Sequence, residues 1–216
     1  MYDYISNQIA VYKTNKVLVE FRDKLKVASI PNYAHIHADG EQMEGAIKKT
    51  SLIGILMKDY SSGTGDKSIT VKANVSPEDV KFLYSRINAG FPVVDFKQEK
   101  IFGTKDENGY SQVTKLRIAR ADKDSKGAIR KYPWYIEVEN GNGIAVKNAN
   151  GGTYMKANSF ASTAKTYANL SDLDMFKLLG RTDAYIRAWE NAIAPSLIST
   201  AKKAIQEIQD AQQNVA

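Results

Sequence analysis

Short stretches of alternating apolar and polar residues recur along the chain and predict β-strands. In the N-terminal half the predicted strands are Val17 to Arg22, Tyr33 to Ala38, Ser51 to Tyr60 and Ser68 to Val75. In the C-terminal half they are Val113 to Ala119, Pro133 to Glu139, Gly143 to Lys147 and Ser162 to Leu170. Turn-forming pairs such as Asp39-Gly40 and Asn140-Gly141 separate them. The pattern therefore predicts antiparallel sheets.

Helical periodicity follows the last strand of each half. Ser76 and Pro77 form a typical helix start, which predicts a helix over 76–89. Ser171 begins a second predicted helix over 171–194, and Pro195 is expected to end it. A last helix is then expected from Ser196 to about Ala211. The apolar stripe of the second helix is Met175, Leu178, Leu179, Thr182, Tyr185, Ile186, Trp189 and Ile193.

The two strand-to-helix junctions resemble each other and indicate an internal repeat. Residues 73–79, Ala-Asn-Val-Ser-Pro-Glu-Asp, align with residues 168–174, Ala-Asn-Leu-Ser-Asp-Leu-Asp, at an offset of 95. A second match pairs Pro31-Asn32-Tyr33 with Pro133-Trp134-Tyr135. Strand parity then places Tyr33 and Tyr135 on the exposed face and Trp134 in the core.

These elements predict an α+β fold of two tandem repeats, each an antiparallel sheet of about four strands followed by one helix. We expect a pseudo-twofold arrangement with an extra C-terminal helix. The predicted units are 1–100, 101–194, and a terminal helix and tail over 195–216. They are expected to form one compact unit, because pairing two such repeats buries both helices and the apolar sheet faces together.

Composition excludes several classes of chemistry. The 216 residues include no cysteine and two histidines, so disulfides, thiolate zinc sites and cysteine nucleophiles are absent. The first residues lack the basic and apolar regions of a secretory signal, and no window approaches 18 uninterrupted apolar residues. We therefore expect a cytoplasmic protein with no membrane partner, no cofactor and no enzymatic activity.

The positive charge of the chain is concentrated in one segment. Between Lys115 and Lys165 there are ten Lys and Arg residues and four Asp and Glu residues, which accounts for the whole formal charge of +6. Such a basic region is typical of a protein that binds a polyanion. A solubilising surface would produce the same composition, and charge does not separate the two interpretations.

Tandem units of about four strands and a helix, in a basic protein, resemble the Whirly/Pur-alpha group of single-stranded nucleic-acid-binding folds. The resemblance lies in the element order and in the repeat over residues 16 to 193, without a diagnostic motif. It implies that single-stranded DNA or RNA binds across exposed sheet faces. The small, cysteine-free, Tyr- and Asn-rich chain also resembles proteins of Gram-positive phages and mobile elements.

Single-strand binding needs cations for phosphates and aromatic rings for bases. Strand parity places Lys115 and Arg117 on the exposed face, beside Tyr135. The full set of predicted nucleic-acid-binding residues is Tyr33, Lys115, Arg117, Arg120, Lys131, Tyr135, Lys147 and Lys156. Glu137 and Glu139 share that face, so the cations could instead pair with carboxylates across strands. Both interpretations remain open from the sequence.

Two further hypotheses compete with nucleic-acid binding. The first is a structural or assembly protein without a nucleic-acid ligand, in which the C-terminal helices form a homodimer. The second is a small metalloenzyme, because His35, His37 and Asp39 fall on one side of a predicted strand and could hold zinc or ferrous iron. Alternating polar residues are also common on half-exposed strands, so this pattern has low specificity.

Overall fold

The computed structural model describes residues 6–27, 41–44 and 47–213. The first half contains β1 (Gln8–Lys13), β2 (Val17–Lys24), β3 (Glu41–Glu44), β4 (Ile47–Thr50), β5 (Leu52–Asp59), β6 (Ile69–Val75) and α1 (Pro77–Asn88). The second half contains β7 (Val93–Phe102), β8 (Ser111–Ala121), β9 (Trp134–Gly143), β10 (Ala145–Lys147), β11 (Thr153–Met155), β12 (Ala161–Leu170) and α2 (Asp172–Gln213).

The two halves share one topology, which confirms the predicted α+β class with two repeat-like sheets. The first sheet has the order β1-β2-β5-β6 and the second has the order β7-β8-β9-β12, and all pairs are antiparallel. A helix follows the last strand of each sheet. The inserted hairpins differ in place: β3–β4 lies between the second and third strands, and β10–β11 between the third and fourth.

The junction between sheet and helix is built alike in both repeats. Ser76 Oγ accepts a hydrogen bond from the Asp79 backbone N–H at 3.0 Å, and Asp79 accepts one from the Ser76 backbone at 2.9 Å. Ser171 Oγ accepts from the Asp174 backbone at 3.1 Å and donates to its carboxylate at 2.6 Å. A cap at this position satisfies backbone donors that the first helical turn leaves free.

The topology corrects the second sequence match. Because β9 is the third main strand of its sheet, its counterpart is β5 and not a strand around Tyr33. The predicted strand from Tyr33 to Ala38 lies outside the described residues. Tyr135 therefore has its structural equivalent in β5.

One core joins both sheets and both helices. The inward side chains include Phe21, Ile53 and Ile55 from the first sheet and Ile118, Trp134 and Ile136 from the second. Met175, Leu178, Leu179 and Ile186 of α2 complete it, which confirms the predicted helical stripe. Burying each such side chain contributes roughly 1.5–3 kcal/mol before entropy is counted.

Two edge strands, β1 and β7, were not among the predicted strands. The inward positions of β7 include Val94 and Phe96, but also Gln98 and Lys100, so its apolar alternation fails after four residues. An edge strand can carry such residues because half of its surface faces solvent or a cleft. The predicted boundary at residue 100 falls inside β7, which pairs with β8.

The helix α2 continues through Pro195, so the prediction that it ends there is wrong. Proline removes the hydrogen bond to the carbonyl of Asn191, and that residue is exposed, so water can replace the bond. Leu197 and Ala201 beyond the proline are buried again, which keeps the helix in place. In the part of the chain that the structure describes, the helices lack the combined length and apolar content that crossing a membrane requires.

The sheets meet along an edge of the first one. Strand β6 lies against β9 and β12. The Asn140 side-chain amide, on the inward side of β9, accepts from the Lys72 backbone N–H and donates to the Lys72 carbonyl, both at 2.8 Å. This contact fixes β6 beside the second sheet and leaves a cleft where the two sheets diverge.

Candidate nucleic-acid interface

The exposed face of the second sheet, where sequence parity placed Lys115, Arg117 and Tyr135, carries balanced charge. We call it the outer face of the second sheet. Its charged residues in the four strands are Asp95, Lys97, Glu99, Lys115, Arg117, Glu137, Glu139 and Lys165. Four cations and four carboxylates leave no net charge there to attract a polyanion.

Lys115 and Arg117 are paired with carboxylates across strands. Arg117 contacts Asp95 at 2.8 Å and Lys115 contacts Glu99 at 3.6 Å. Both partners lie on β7, so these pairs differ from the pairs with Glu137 and Glu139 that the sequence suggested. The ammonium of Lys115 also lies 3.8 Å above the ring of Phe160. The guanidinium of Arg117 holds the pKa of Asp95 below its ordinary value.

Tyr135 is part of the same paired network. Its hydroxyl donates to Glu137, and Lys165 contacts that carboxylate at 2.9 Å. Burial of its hydroxyl and the bond to Glu137 raise the pKa of Tyr135. Burial would raise the pKa of Glu137, but the hydrogen bonds from Tyr135 and Lys165 outweigh it and lower that pKa. The Tyr135 ring stacks on Tyr167 at a centroid distance of 5.7 Å, so one of its faces is occupied.

Arg120 has a structural role at the start of α2. It contacts both carboxylate oxygens of Asp172, at 2.9 and 3.0 Å, and donates to the carbonyls of Phe91 and Pro92. Its side chain points to the helix side of the sheet, opposite to Arg117. With its donors occupied by the protein, Arg120 has little left to offer a phosphate.

The other predicted residues fall in separate places. Lys131 is exposed just before β9, with its ammonium 5.5 Å from the ring of Tyr132. Lys147 and Lys156 are exposed on or beside the β10–β11 hairpin, beyond the opposite end of β9. Tyr33 lies outside the described residues. The structure therefore brings Lys115, Arg117 and Tyr135 onto one face, and Lys147 and Lys156 onto one hairpin.

The first sheet has a different charge balance on its exposed face. Among its strand residues this face carries five cations and one carboxylate, namely Lys13, Arg22, Lys24, Lys58, Lys72 and Glu20. Glu20 is paired with Arg22, whose Nε lies 2.7 Å from the carboxylate. The excess of positive charge that a polyanion needs is therefore on the first sheet.

Three lysines converge where this face meets the second sheet, in a space that we call the inter-sheet cleft. Lys24 Nζ donates to the Asn74 side-chain oxygen at 2.8 Å, and Lys100 Nζ lies 3.4 Å from the Asn74 carbonyl. Lys72 lies two residues before Asn74 on β6, on the same face. The lysines come from β2, β6 and β7, so both repeats contribute.

Two ammonium groups of the cleft, those of Lys24 and Lys100, are held where charge is disfavoured. Burial lowers the pKa of Lys24, and the charges of Lys72 and Arg22 lower it further. Burial also lowers the pKa of Lys100, against the opposing effect of Asp79. An anion placed beside them would reverse both effects. The electrostatics of the cleft therefore favour a negatively charged ligand.

The cleft has two compartments that share Asn74, Phe102 and Thr114. One has a volume of about 490 Å³ and the other about 360 Å³, within the range of ligand sites. Phe102 is 45% exposed and Tyr154 is 52% exposed, so ring surface is accessible. The polar lining outside the lysines is Thr50, Asn74, Gln98, Glu99, Gln112, Thr114, Asn140, Asn142, Thr153 and Thr163. Five of these ten residues carry a side-chain amide, which both donates and accepts hydrogen bonds.

Sequence reasoning missed all three cleft lysines. Lys72 alternates with the buried Val71 and Ala73, which is a signal that it faces outward. Lys100 carried no such signal, because its strand was not predicted. The charge count also pointed to the second half, where many cations lie in loops or in pairs.

Metal chemistry has no candidate site in the ranges that the structure describes. Within 6–27, 41–44 and 47–213, no three His, Asp or Glu residues group in a way that could hold an ion. The predicted ligands His35, His37 and Asp39 lie outside those ranges. The inter-sheet cleft supplies groups for binding: ammonium groups, amides and exposed rings.

Comparisons with known proteins give a structural likeness and no match by sequence. No family model and no curated protein matches the chain. The chain is similar to the solved structure of a plant transcriptional regulator, PBF-2, with a TM-score of 0.46 and 9% sequence identity, over 90% of this chain and 89% of that one. At this level of similarity only the residues of the cleft bear on what the protein binds.

Proposed function

We propose that this protein is a non-enzymatic single-stranded nucleic-acid-binding protein whose ligand occupies the inter-sheet cleft. The observation that supports this is the convergence of Lys24, Lys72 and Lys100 beside exposed aromatic rings and an amide-rich lining. Lysine ammonium groups neutralise phosphates, and aromatic rings stack on bases whatever their sequence. Amides hydrogen-bond base edges.

The aromatic groups favour a single strand as the ligand. Phe102 and Tyr154 can stack only on a base whose face is free, and in a duplex neighbouring base pairs cover these faces. The cleft is also a space between sheets and not a broad convex surface. A flexible strand can place one or two bases inside it while its phosphates follow the lysines at its rim.

Basic residues continue from the cleft in two directions. A neighbouring depression of about 390 Å³ is lined by Lys24, Lys26 and Lys49 and shares Thr50 and Leu52 with the cleft. On the other side, Lys147 is the cross-strand partner of Thr153, which lines the cleft, and Lys156 follows β11. Lys147 and Lys156 were predicted from the sequence, and here they extend the proposed path of the phosphates.

Fluorescence anisotropy with labelled oligothymidylate at low salt tests the proposal. We expect binding that weakens steeply as salt is added, and much weaker binding of a duplex. Matched DNA and RNA strands of mixed sequence identify the preferred sugar. Absence of binding at high micromolar protein, or equal affinity for duplex and single strand, would contradict the proposal.

We also propose that the end of α2 associates with the same segment of a second molecule. Ile205 is 44% exposed and Ile208 is 58% exposed on one side of the last turns. Lys202 and Lys203 lie on the N-terminal side of these isoleucines, and Glu207 and Asp210 lie towards the C-terminal side. Two antiparallel helices would therefore place the lysines of one molecule near the carboxylates of the other. Light scattering after size exclusion should show a dimer that Ile205→Lys with Ile208→Lys converts to a monomer. A wild-type monomer at high concentration would exclude this association.

A further inference from the structure

Lys24 reaches the inter-sheet cleft by crossing a neighbouring strand at a glycine. Its own cross-strand partner on β5 is Leu52, whereas Gly54 lies between Arg22 and Asn74 in the register of the sheet. A Cβ added at Gly54 would lie 2.9 Å from Lys24 Cε and 3.4 Å from Lys24 Cδ. The aliphatic part of Lys24 therefore passes over Gly54, and its ammonium reaches Asn74 on β6 at 2.8 Å.

The backbone does not require glycine at this position. Gly54 lies within a regular strand and is not among the residues with positive φ. A glycine inside a strand weakens it, and it commonly marks a place where another group approaches closely. Here the approaching group is the Lys24 side chain, and the atom nearest to an added Cβ is the far part of that flexible chain.

The second repeat has no such passage. When Asn74 is matched with Asn169, the register of each sheet matches Gly54 with Tyr135, because Gly54 is the cross-strand partner of Asn74 and Tyr135 is that of Asn169. The same register places Ala121 at the position of Lys24. The two repeats therefore differ at both positions that form the contact. The first repeat has Gly54 and Lys24, and the second has Tyr135 and Ala121 in their places.

We propose that the absence of a side chain at Gly54 leaves the space that the Lys24 side chain occupies, and that this positions Lys24 to form a phosphate-binding subsite with Lys100 at Asn74. This rests on the proposed function, in which the phosphate belongs to the backbone of a single strand. Inorganic phosphate offers the same anionic oxygens, so it would bind the same subsite. The subsite exists in the first repeat and has no equivalent at Asn169.

A double-mutant cycle on oligothymidylate affinity tests the proposal. Gly54→Ala fits the strand backbone but displaces Lys24, so we expect it to weaken binding as much as Lys24→Ala does. The double variant should then bind no more weakly than Lys24→Ala, because both changes remove one contact. Lys13→Ala is the matched control, since it removes a lysine from the same face at the opposite edge. Its effect should add to that of Gly54→Ala.

Thermal unfolding separates loss of binding from loss of fold. Alanine suits a strand interior better than glycine, so the Tm of Gly54→Ala should equal or exceed that of the wild type. Additive effects of Gly54→Ala and Lys24→Ala would overturn the proposal, and so would wild-type affinity of Gly54→Ala.

Titration with inorganic phosphate keeps the test independent of the oligonucleotide. Amide chemical shifts of Asn74 should respond in the wild type and respond less in Gly54→Ala. That response without oligonucleotide binding would support the subsite and reject the proposed function. Oligonucleotide binding with no phosphate response at Asn74, and no effect of Gly54→Ala, would reject the subsite alone.

Discussion

Removing the three cleft lysines should lower the salt dependence of nucleic-acid binding by a calculable amount. The variant carries Lys24→Gln, Lys72→Gln and Lys100→Gln. For single strands, each neutralised phosphate contributes about −0.7 to the slope of log K against log salt, so three contacts contribute about −2. Between about 50 and 200 mM salt, those contacts account for roughly a 20-fold loss of affinity. We expect the variant to lose that part of the slope.

A matched variant on the outer face of the second sheet separates local contacts from overall charge. Lys115→Gln, Arg117→Gln and Lys165→Gln remove the same number of positive charges, but each of these cations faces a carboxylate within the protein. We expect this variant to keep the wild-type slope. Exposed ion pairs contribute about 0–1 kcal/mol each, so the fold should survive their loss.

Anisotropy titrations of labelled oligothymidylate at four or more salt concentrations give the slopes. The cleft variant should unfold at the wild-type temperature or above, because burial disfavours the ammonium groups of Lys24 and Lys100. An unchanged slope in the cleft variant, or an equal reduction in both variants, would refute the assignment of the ligand to the cleft. A reduction confined to the second-sheet variant would return the site to the face predicted from the sequence.

The remaining predictions concern stability. Asp172→Asn should destabilise the fold at neutral pH by about 1 kcal/mol, because Asp172 pairs with Arg120 and accepts from Trp134. Arg120 lowers the pKa of Asp172, so the stability that wild-type Asp172 contributes is present above the ordinary carboxyl pKa and is lost as pH falls through the lowered one. Denaturant unfolding should therefore show a loss of stability in Asp172→Asn that is smaller at acid pH than at neutral pH. An equal loss at both pH values would contradict this. Burial and the hydrogen bond to Asp23 raise the pKa of Tyr185 to about 12. The unfolded tyrosine loses its proton at about 10, so stability should fall between those values, and it should fall less steeply in Tyr185→Phe. Tyrosinate absorbance during alkaline titration measures the shift, and an ordinary titration of Tyr185 would refute it. Leu179→Ala should cost about 2–5 kcal/mol, since Leu179 is fully buried in the shared core; a smaller loss in denaturant unfolding would mean that α2 does not anchor both sheets.

The internal repeat is recognisable in the sequence because it is marked by local chemistry. Ser76 and Ser171 cap helices in a way that depends on a few neighbouring residues, and the strand before each cap alternates regularly. Such features depend on sequence distances of three or four residues, and single-sequence patterns report them well. The correct class and the inward position of Trp134 followed from them.

The identity of neighbouring strands could not be read in the same way. Parity correctly placed Lys115 and Arg117 on the exposed face, but their partners lie on β7, whose inward Gln98 and Lys100 break the apolar pattern. Without β7, neither the paired carboxylates nor the cleft could be recognised. Lys24, Lys72 and Lys100 come together only through the packing of one sheet on another, and no periodicity in the chain contains that information.

The contact between Asn140 and the backbone of Lys72 has a consequence for how molecules of this protein avoid one another. A primary amide offers one donor and one acceptor, as a peptide group does, so it imitates the next strand at a single rung of the ladder. A foreign strand that tried to extend the first sheet at this edge would first have to displace that side chain. The contact between Asn140 and Lys72 thus joins the two halves and also terminates the first sheet at β6. It thereby protects this edge from pairing with a strand of another molecule, which would lead to polymerisation.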